Sequence, residues 1–202
     1  MEQRRFGNSG LSASAFSFGT MTIGGRDRFG KMGNLGVAET SRILDVCRDA
    51  GVNTIDTADI YSFGGAEEIV GEAMVGRRQD FVVVTKAYMR MGTGPHDVGL
   101  SRQHLMQACE ASLKRLRTDY LDLYICHQPD SIAAACAIVD LASPDRAKRG
   151  RLARRIRVAI ALPSASSAAS VVIIRSDERP AEAKGYERLA GSRGFRSMPN
   201  LC

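Results

Sequence analysis

Gly51-Val52-Asn53-Thr54-Ile55-Asp56-Thr57-Ala58-Asp59-Ile60-Tyr61 decides how this chain folds. Gly51 stops a helix, the residues around Ile55 read as a short strand, and Asp56 stands at that strand's C-terminal end. Tyr61 follows five residues later. Two further apolar runs, Phe81-Val82-Val83-Val84-Thr85-Lys86 and Leu121-Asp122-Leu123-Tyr124-Ile125-Cys126-His127, also end on a residue capable of proton chemistry. Helical periods lie between the strands. One over 37–50 puts Ile43, Leu44, Cys47 and Ala50 on one face, and one after Gly64-Gly65 does the same with Ile69, Val70, Ala73 and Met74. Ser101 predicts an N-cap for a helix to about Arg117, with Leu105, Cys109, Leu113 and Leu116 inward. Strand and helix alternating in this way make a parallel sheet with right-handed crossovers. In a barrel of parallel strands, the C-terminal strand ends form the mouth where chemistry is done.

Working outward, the turn-rich Gly7-Asn8-Ser9-Gly10 predicts a small hairpin, residues 15–21 a first strand, and the Gly-rich, charged residues 22–36 a loop. Four β/α units are thus visible, whereas a closed barrel needs eight and about 250 residues. The expected fold is α/β: a partial (β/α)8 TIM barrel, with an N-terminal hairpin plus about four β/α units in a domain over 1–131. Residues 132–202 then form a C-terminal tail, irregular or disordered. In that tail Ala, Arg and Ser make up 34 of 71 residues, and Thr, His and Gln vanish. Such a composition suits a shifted reading frame in GC-rich coding sequence better than a diverged extension. Residues 156–162 within it have the makings of a fifth strand.

The net charge of +6 belongs to the tail, since residues 1–131 sum to −1 and residues 132–202 to +7. The basic cluster between Arg146 and Arg157 has no interleaved aromatics to stack on bases, so a nucleic-acid partner is not expected. Five scattered cysteines with no Cys-x-x-Cys pair argue against a disulfide scaffold or a metal site and for a reducing compartment. Cys47 and Cys109, on apolar helix faces, read as buried thiols. The first residues lack the apolar core of a signal peptide, and no run approaches the ~20 residues of a membrane span. A cytoplasmic protein with no membrane partner is the expectation.

Taken singly, each candidate has an ordinary explanation: Asp56 as a turn cap, Lys86 as a solvated strand end, His127 and Tyr61 as packing residues. Taken together, in this order and at successive elements, they point to chemistry. The set Asp56, Tyr61, Lys86 and His127 resembles the catalytic tetrad of the aldo-keto reductases, and residues 51–61 resemble that family's longest signature. The resemblance covers about residues 2–130. Within the family, the run from Lys86 through Met91-Gly92-Thr93-Gly94-Pro95-His96-Asp97 to Arg102 is similar to the bacterial branch allied to aryl-alcohol dehydrogenases and potassium-channel β-subunits.

The resemblance implies NADPH-dependent reduction of an aldehyde or ketone, a small-molecule carbonyl substrate, to an alcohol. Hydride arriving at a carbonyl carbon leaves negative charge on oxygen, so a proton donor must stand beside it. A phenol, with a reference pKa of about 10, is a sluggish acid unless an adjacent ammonium favours the phenolate. The implied roles are Tyr61 as donor, Lys86 as its ammonium, Asp56 as the partner that holds Lys86, and His127 as the group orienting the carbonyl. Hydride itself must come from a cofactor. No complete G-x-G-x-x-G is present, because Pro95-His96-Asp97 follows Gly92-Thr93-Gly94. Gly19, Thr20, Met21 and Asp56 match the family's contacts to the nicotinamide end. The Ser-Asn pair expected after a fifth strand, and the segment gripping the 2′-phosphate, are not recognisable. The alternative is a non-catalytic, truncated fragment or pseudoenzyme that self-associates through open sheet edges.

Overall fold

The computed structural model describes residues 1–6, 9–128 and the backbone of Ile156–Ile160. Two antiparallel strands, β1 (Gln3–Arg5) and β2 (Ser12–Ser14), form a hairpin. A separate parallel sheet follows in the order β3 (Ser17–Gly19), β4 (Thr54–Asp56), β5 (Val82–Ala87), β6 (Leu121–Cys126) and β7 (Ile156–Ile160). Sequence order and spatial order agree, as expected of successive β/α units. Helices α1 (Val37–Asp49), α2 (Gly65–Ala73) and α3 (Arg102–Arg115) supply the crossovers. The expected α/β fold with a partial barrel is what the described residues build. The fifth strand read over 156–162 is present as β7, hydrogen-bonded to β6. The irregularity expected of the rest of the tail lies outside the described residues.

Strand alternation sorts the core into two layers. Val83 and Ala87 pack outward with Leu44, Val70, Leu105 and Leu113 of the helices. Val82 and Val84, with Leu123 of β6, face the other way and meet Phe6 and Leu11 of the hairpin. The hairpin therefore floors the inner face. It is pinned at the N-terminal end of β4, where Ser14 N–H donates to Asn53 Oδ1 at 2.8 Å and Ser14 Oγ accepts from the Asn53 and Thr54 N–H groups.

Local signals place the helices closely. Ser101 Oγ caps α3 by accepting from His104 N–H at 3.2 Å. Gly51, with φ of 76°, ends the segment after α1 in the left-handed conformation that favours glycine. On α1, Leu44 is fully buried, but Ala50 is exposed at the fraying end and Cys47 is only half-buried. Helices α2 and α3 approach so closely that a Cβ at Gly71 would lie 2.5 Å from the Arg115 carbonyl oxygen. Among the described residues, no helix is long and apolar enough to cross a membrane, and no group of His, Cys, Asp and Glu is arranged to hold a metal.

Candidate active site

Parity along the strands brings the predicted residues together. Lys86 is two and four residues from Val84 and Val82, so it shares their inner face but stands at the C-terminal end of β5. Asp56 ends β4 in register with Val84, and Gly19 ends β3 in register with Asp56. His127 follows β6 at the parity of Leu123 and Ile125, and its backbone N–H donates to Ala87 O at 3.0 Å. Tyr61 arrives by another route. After β4 the chain keeps pairing with β5, through Thr57 N–H to Val84 O at 2.8 Å and Asp59 N–H to Lys86 O at 3.1 Å. It then turns into a 3-10 segment, Tyr61–Gly64, whose Ser62 and Phe63 have φ near 50°. Two consecutive non-glycine residues in that region are costly, about 1–2 kcal/mol each. Ser62 Oγ, fully buried, anchors the turn by donating to Ile23 O at 2.6 Å.

All four candidates meet around one ammonium. Lys86 Nζ donates to Asp56 Oδ1, to Thr57 O at 2.9 Å and to Tyr61 Oη at 3.5 Å. It also lies 5.1 Å from the centre of the Tyr61 ring. The His127 ring stands edge-on to Tyr61, with centroids 5.8 Å apart and planes at 84°. Burial holds the His127 imidazole below its ordinary pKa; Lys86 adds to this and Asp56 opposes it. The ring is therefore neutral at physiological pH, and its Nδ1 is buried without a hydrogen-bond partner among the described residues.

The proposed nicotinamide contacts form the adjoining rim. Thr20 is buried and bound to Asp56 O through both its N–H at 3.0 Å and its hydroxyl at 3.1 Å. Gly19 has open space where a side chain would project, and Met21 is 44 % exposed. That uncovered edge beside Asp56 fits the flat reactive end of a nicotinamide. A wall rises next to it. Phe29 of the 22–36 loop meets Tyr61 and Phe63 edge to face at 6.5 and 5.9 Å, with the Arg28 guanidinium 5.3 Å from the Phe29 ring centre. A hollow of about 660 Å³ between Arg78, Leu113, Arg117 and Tyr120 lies at the N-terminal ends of β5 and β6 and contains none of these groups.

The sequence reading missed a charged layer beneath the site. Glu67 on α2 is fully buried, accepting from Thr85 Oγ1 at 2.5 Å and Arg115 Nε at 2.7 Å. Asp59 is also fully buried, and neither carboxylate oxygen has a hydrogen-bond partner among the described residues. The helical period of α2 carried a signal for Glu67, which lies three residues before buried Val70 and so on the same face.

Known proteins carry the same framework. The aldo/keto reductase family model matches residues 15–143. A probable voltage-gated potassium channel subunit beta of Arabidopsis thaliana is 45% identical over 134 residues, which are 65% of this chain and 38% of that protein. An uncharacterized oxidoreductase of Bacillus subtilis is 36% identical over 129 residues, 63% of this chain and 39% of that one. Among solved structures, an aldo-keto reductase from Klebsiella pneumoniae in complex with NADPH aligns with a TM-score of 0.54 at 31% identity. That alignment covers 74% of this chain and 45% of the other. The holo form of an aldo-keto reductase from Bacillus halodurans aligns at 0.52 and 36% identity, over 62% and 40% of the two chains. The chain thus spans about two fifths of the length of these curated relatives. With its signature strand, its parallel sheet and most of its described length inside the match, the chain belongs to the aldo/keto reductase family.

Proposed function

We propose that the chain carries the reaction centre of an NADPH-dependent oxidoreductase that reduces an aldehyde or ketone to an alcohol. One observation carries the reading: a single ammonium, Lys86 Nζ, is shared by Asp56, the Thr57 carbonyl and the Tyr61 hydroxyl at the C-terminal strand ends. When bound, the reduced nicotinamide supplies the hydride, for which no side chain can substitute. The residues do the rest. Tyr61 Oη gives its proton to the carbonyl oxygen as negative charge develops there, and the phenolate left behind faces the Lys86 ammonium. Asp56 and Thr57 O fix the position of that ammonium. His127, neutral, offers one ring N–H to hold the carbonyl oxygen beside Tyr61. Gly19, Thr20, Met21 and Asp56 would hold the nicotinamide end. In balance, carbonyl, NADPH and a proton become alcohol and NADP⁺.

The wall of Phe29, Phe63 and Tyr61, with Met89 and Met91 behind it, supports a small carbonyl substrate with an apolar body. The test is NADPH consumption with simple aromatic and aliphatic aldehydes. Turnover that disappears in Tyr61→Phe supports the reading, and none with any aldehyde at saturating cofactor overturns it.

A second reading is favoured by the exposed apolar residue beside β3. The match spans 38% of the Arabidopsis thaliana relative, and among the described residues β3 is the outermost strand of the sheet, next to Phe16, which is 69 % exposed. A non-catalytic fragment that pairs with a second copy through that edge fits these facts. It predicts no quenching of NADPH fluorescence and a dimer in sedimentation.

A further inference from the structure

Asp59 has no part in the chemistry above, yet it is the least explained charged residue near it. It sits between Asp56 and Tyr61 on the same loop, and its backbone N–H is tied to the carbonyl of Lys86 at 3.1 Å. Its side chain has no exposure, and among the described residues both oxygens lack hydrogen bonds. The N–H of Ile60, near enough to favour the ionised form, does not complete a bond of normal geometry. A dry, unpaired carboxylate is expensive, and such a group in a folded protein calls for an explanation. The charged and titratable groups facing it are Glu67 from α2, Arg115 from α3, Lys86 from β5 and Tyr124 from β6. Arg115 is already committed to Glu67, and Lys86 to Asp56. Tyr124 donates its hydroxyl to Leu105 O at 3.0 Å. Among the described residues, Asp59 is therefore a buried charge next to the Lys86 strand end with no counter-ion of its own.

We propose that Asp59 is a positioning residue whose charge state sets how strongly Lys86 holds the phenolate of Tyr61 after proton transfer. This rests on the reductase reading of the same site. Neutral, Asp59 leaves the ammonium's field undivided between Asp56 and Tyr61. Ionised, it draws on that field from behind, and the phenolate becomes harder to form. Burial, followed by the neighbouring Glu67 charge, raises the Asp59 pKa to about 7, so both states are accessible near neutrality. Reduction is then favoured on the acid side of neutrality and weakened above it.

The test follows Tyr61 directly. Tyrosine isotope-labelled at Cζ is incorporated into the full chain, and the Tyr61 resonance is identified by its loss in Tyr61→Phe. In the wild-type chain, that resonance shows a small inflection near pH 7. The inflection persists in His127→Gln, which removes the imidazole packed edge-on to Tyr61, and disappears in Asp59→Asn. Asp59→Ser gives the same loss if the amide variant folds poorly. An inflection that survives both Asp59 substitutions, or is absent from the wild-type chain, overturns the proposal. The pH profile of aldehyde reduction gives the second readout: the fall above neutrality is lost in Asp59→Asn. Absence of turnover counts against the reductase reading alone, because the resonance still reports whether Asp59 and Tyr61 are coupled.

Discussion

Arg115 Nε on α3 and Glu67 Oε2 on α2 are 2.7 Å apart, and Glu67 is completely shielded from water. The pair joins two helices directly beneath the Lys86 cluster, with Thr85 Oγ1 closing the other carboxylate oxygen. Breaking a buried pair from one side leaves an uncompensated charge, at a cost of about 3–5 kcal/mol. Arg115→Met should therefore lower the denaturant midpoint severely, whereas Glu67→Gln with Arg115→Met should recover much of the loss. Equal midpoints for the single and double variants would show that the charge is not what matters.

Lys86→Met removes the ammonium but keeps much of the side-chain volume. Reduction should fall by about two to four orders of magnitude, the usual range for a positioned proton-transfer group. Circular dichroism should be unchanged, because Asp56 is left partly exposed rather than stranded in a dry core. Steady-state kinetics with and without Tyr61→Phe should show non-additive losses, since the two residues act as one unit.

Asp59 makes stability fall as pH rises. Its folded-state pKa, at about 7, lies above the unfolded value of 3.8. Below about pH 4 both states are protonated and Asp59 costs nothing. Between there and about pH 7 the folded state holds a proton that the unfolded state has released, so unfolding becomes progressively easier. Above that window the full cost, at most about 4 kcal/mol, is constant. Asp59→Asn should be more stable than the wild-type chain at pH 8 and should lack this slope in denaturant titrations across the window. A wild-type slope of opposite sign, with Asn showing no gain, would contradict it.

Gly71→Ala tests the helix contact behind the site. An added Cβ would lie 2.5–2.7 Å from backbone atoms of Arg115 and Leu116, which cannot swing aside as a side chain can. A loss of roughly 1–3 kcal/mol is expected from such overpacking, despite the better helix propensity of alanine. Thermal unfolding measures it.

Much of this was legible in the sequence because strand ends and helix caps depend on local patterns. The runs ending at Asp56 and Lys86 and the run through Cys126 fall within a residue or so of β4, β5 and β6, and Ser101 caps α3 as its side chain dictates. The supporting charges were not legible. Glu67 and Arg115 are 48 positions apart, and only tertiary packing decides whether such residues face solvent or each other. Asp59 was hidden for the opposite reason. It lies inside the signature itself, and nothing local reveals that Asp56 finds a cation while its neighbour three residues on finds none.

The pleat that sends Val82 and Val84 to the hairpin floor also sends Lys86 to the mouth. The position of Lys86 is thus phase-locked to the core. Removing one residue between Val82 and Lys86 would not simply shorten β5. It would rotate the ammonium into the helix layer and bring an outward-facing side chain to the mouth, so both floor and site would be lost in a single step. Two-residue changes would preserve the phase and move the ammonium along the strand axis by about 7 Å, beyond reach of Tyr61. The reactive geometry is therefore digital in strand length: β5 can accept many substitutions, but it has no neighbouring length at which the four groups still converge.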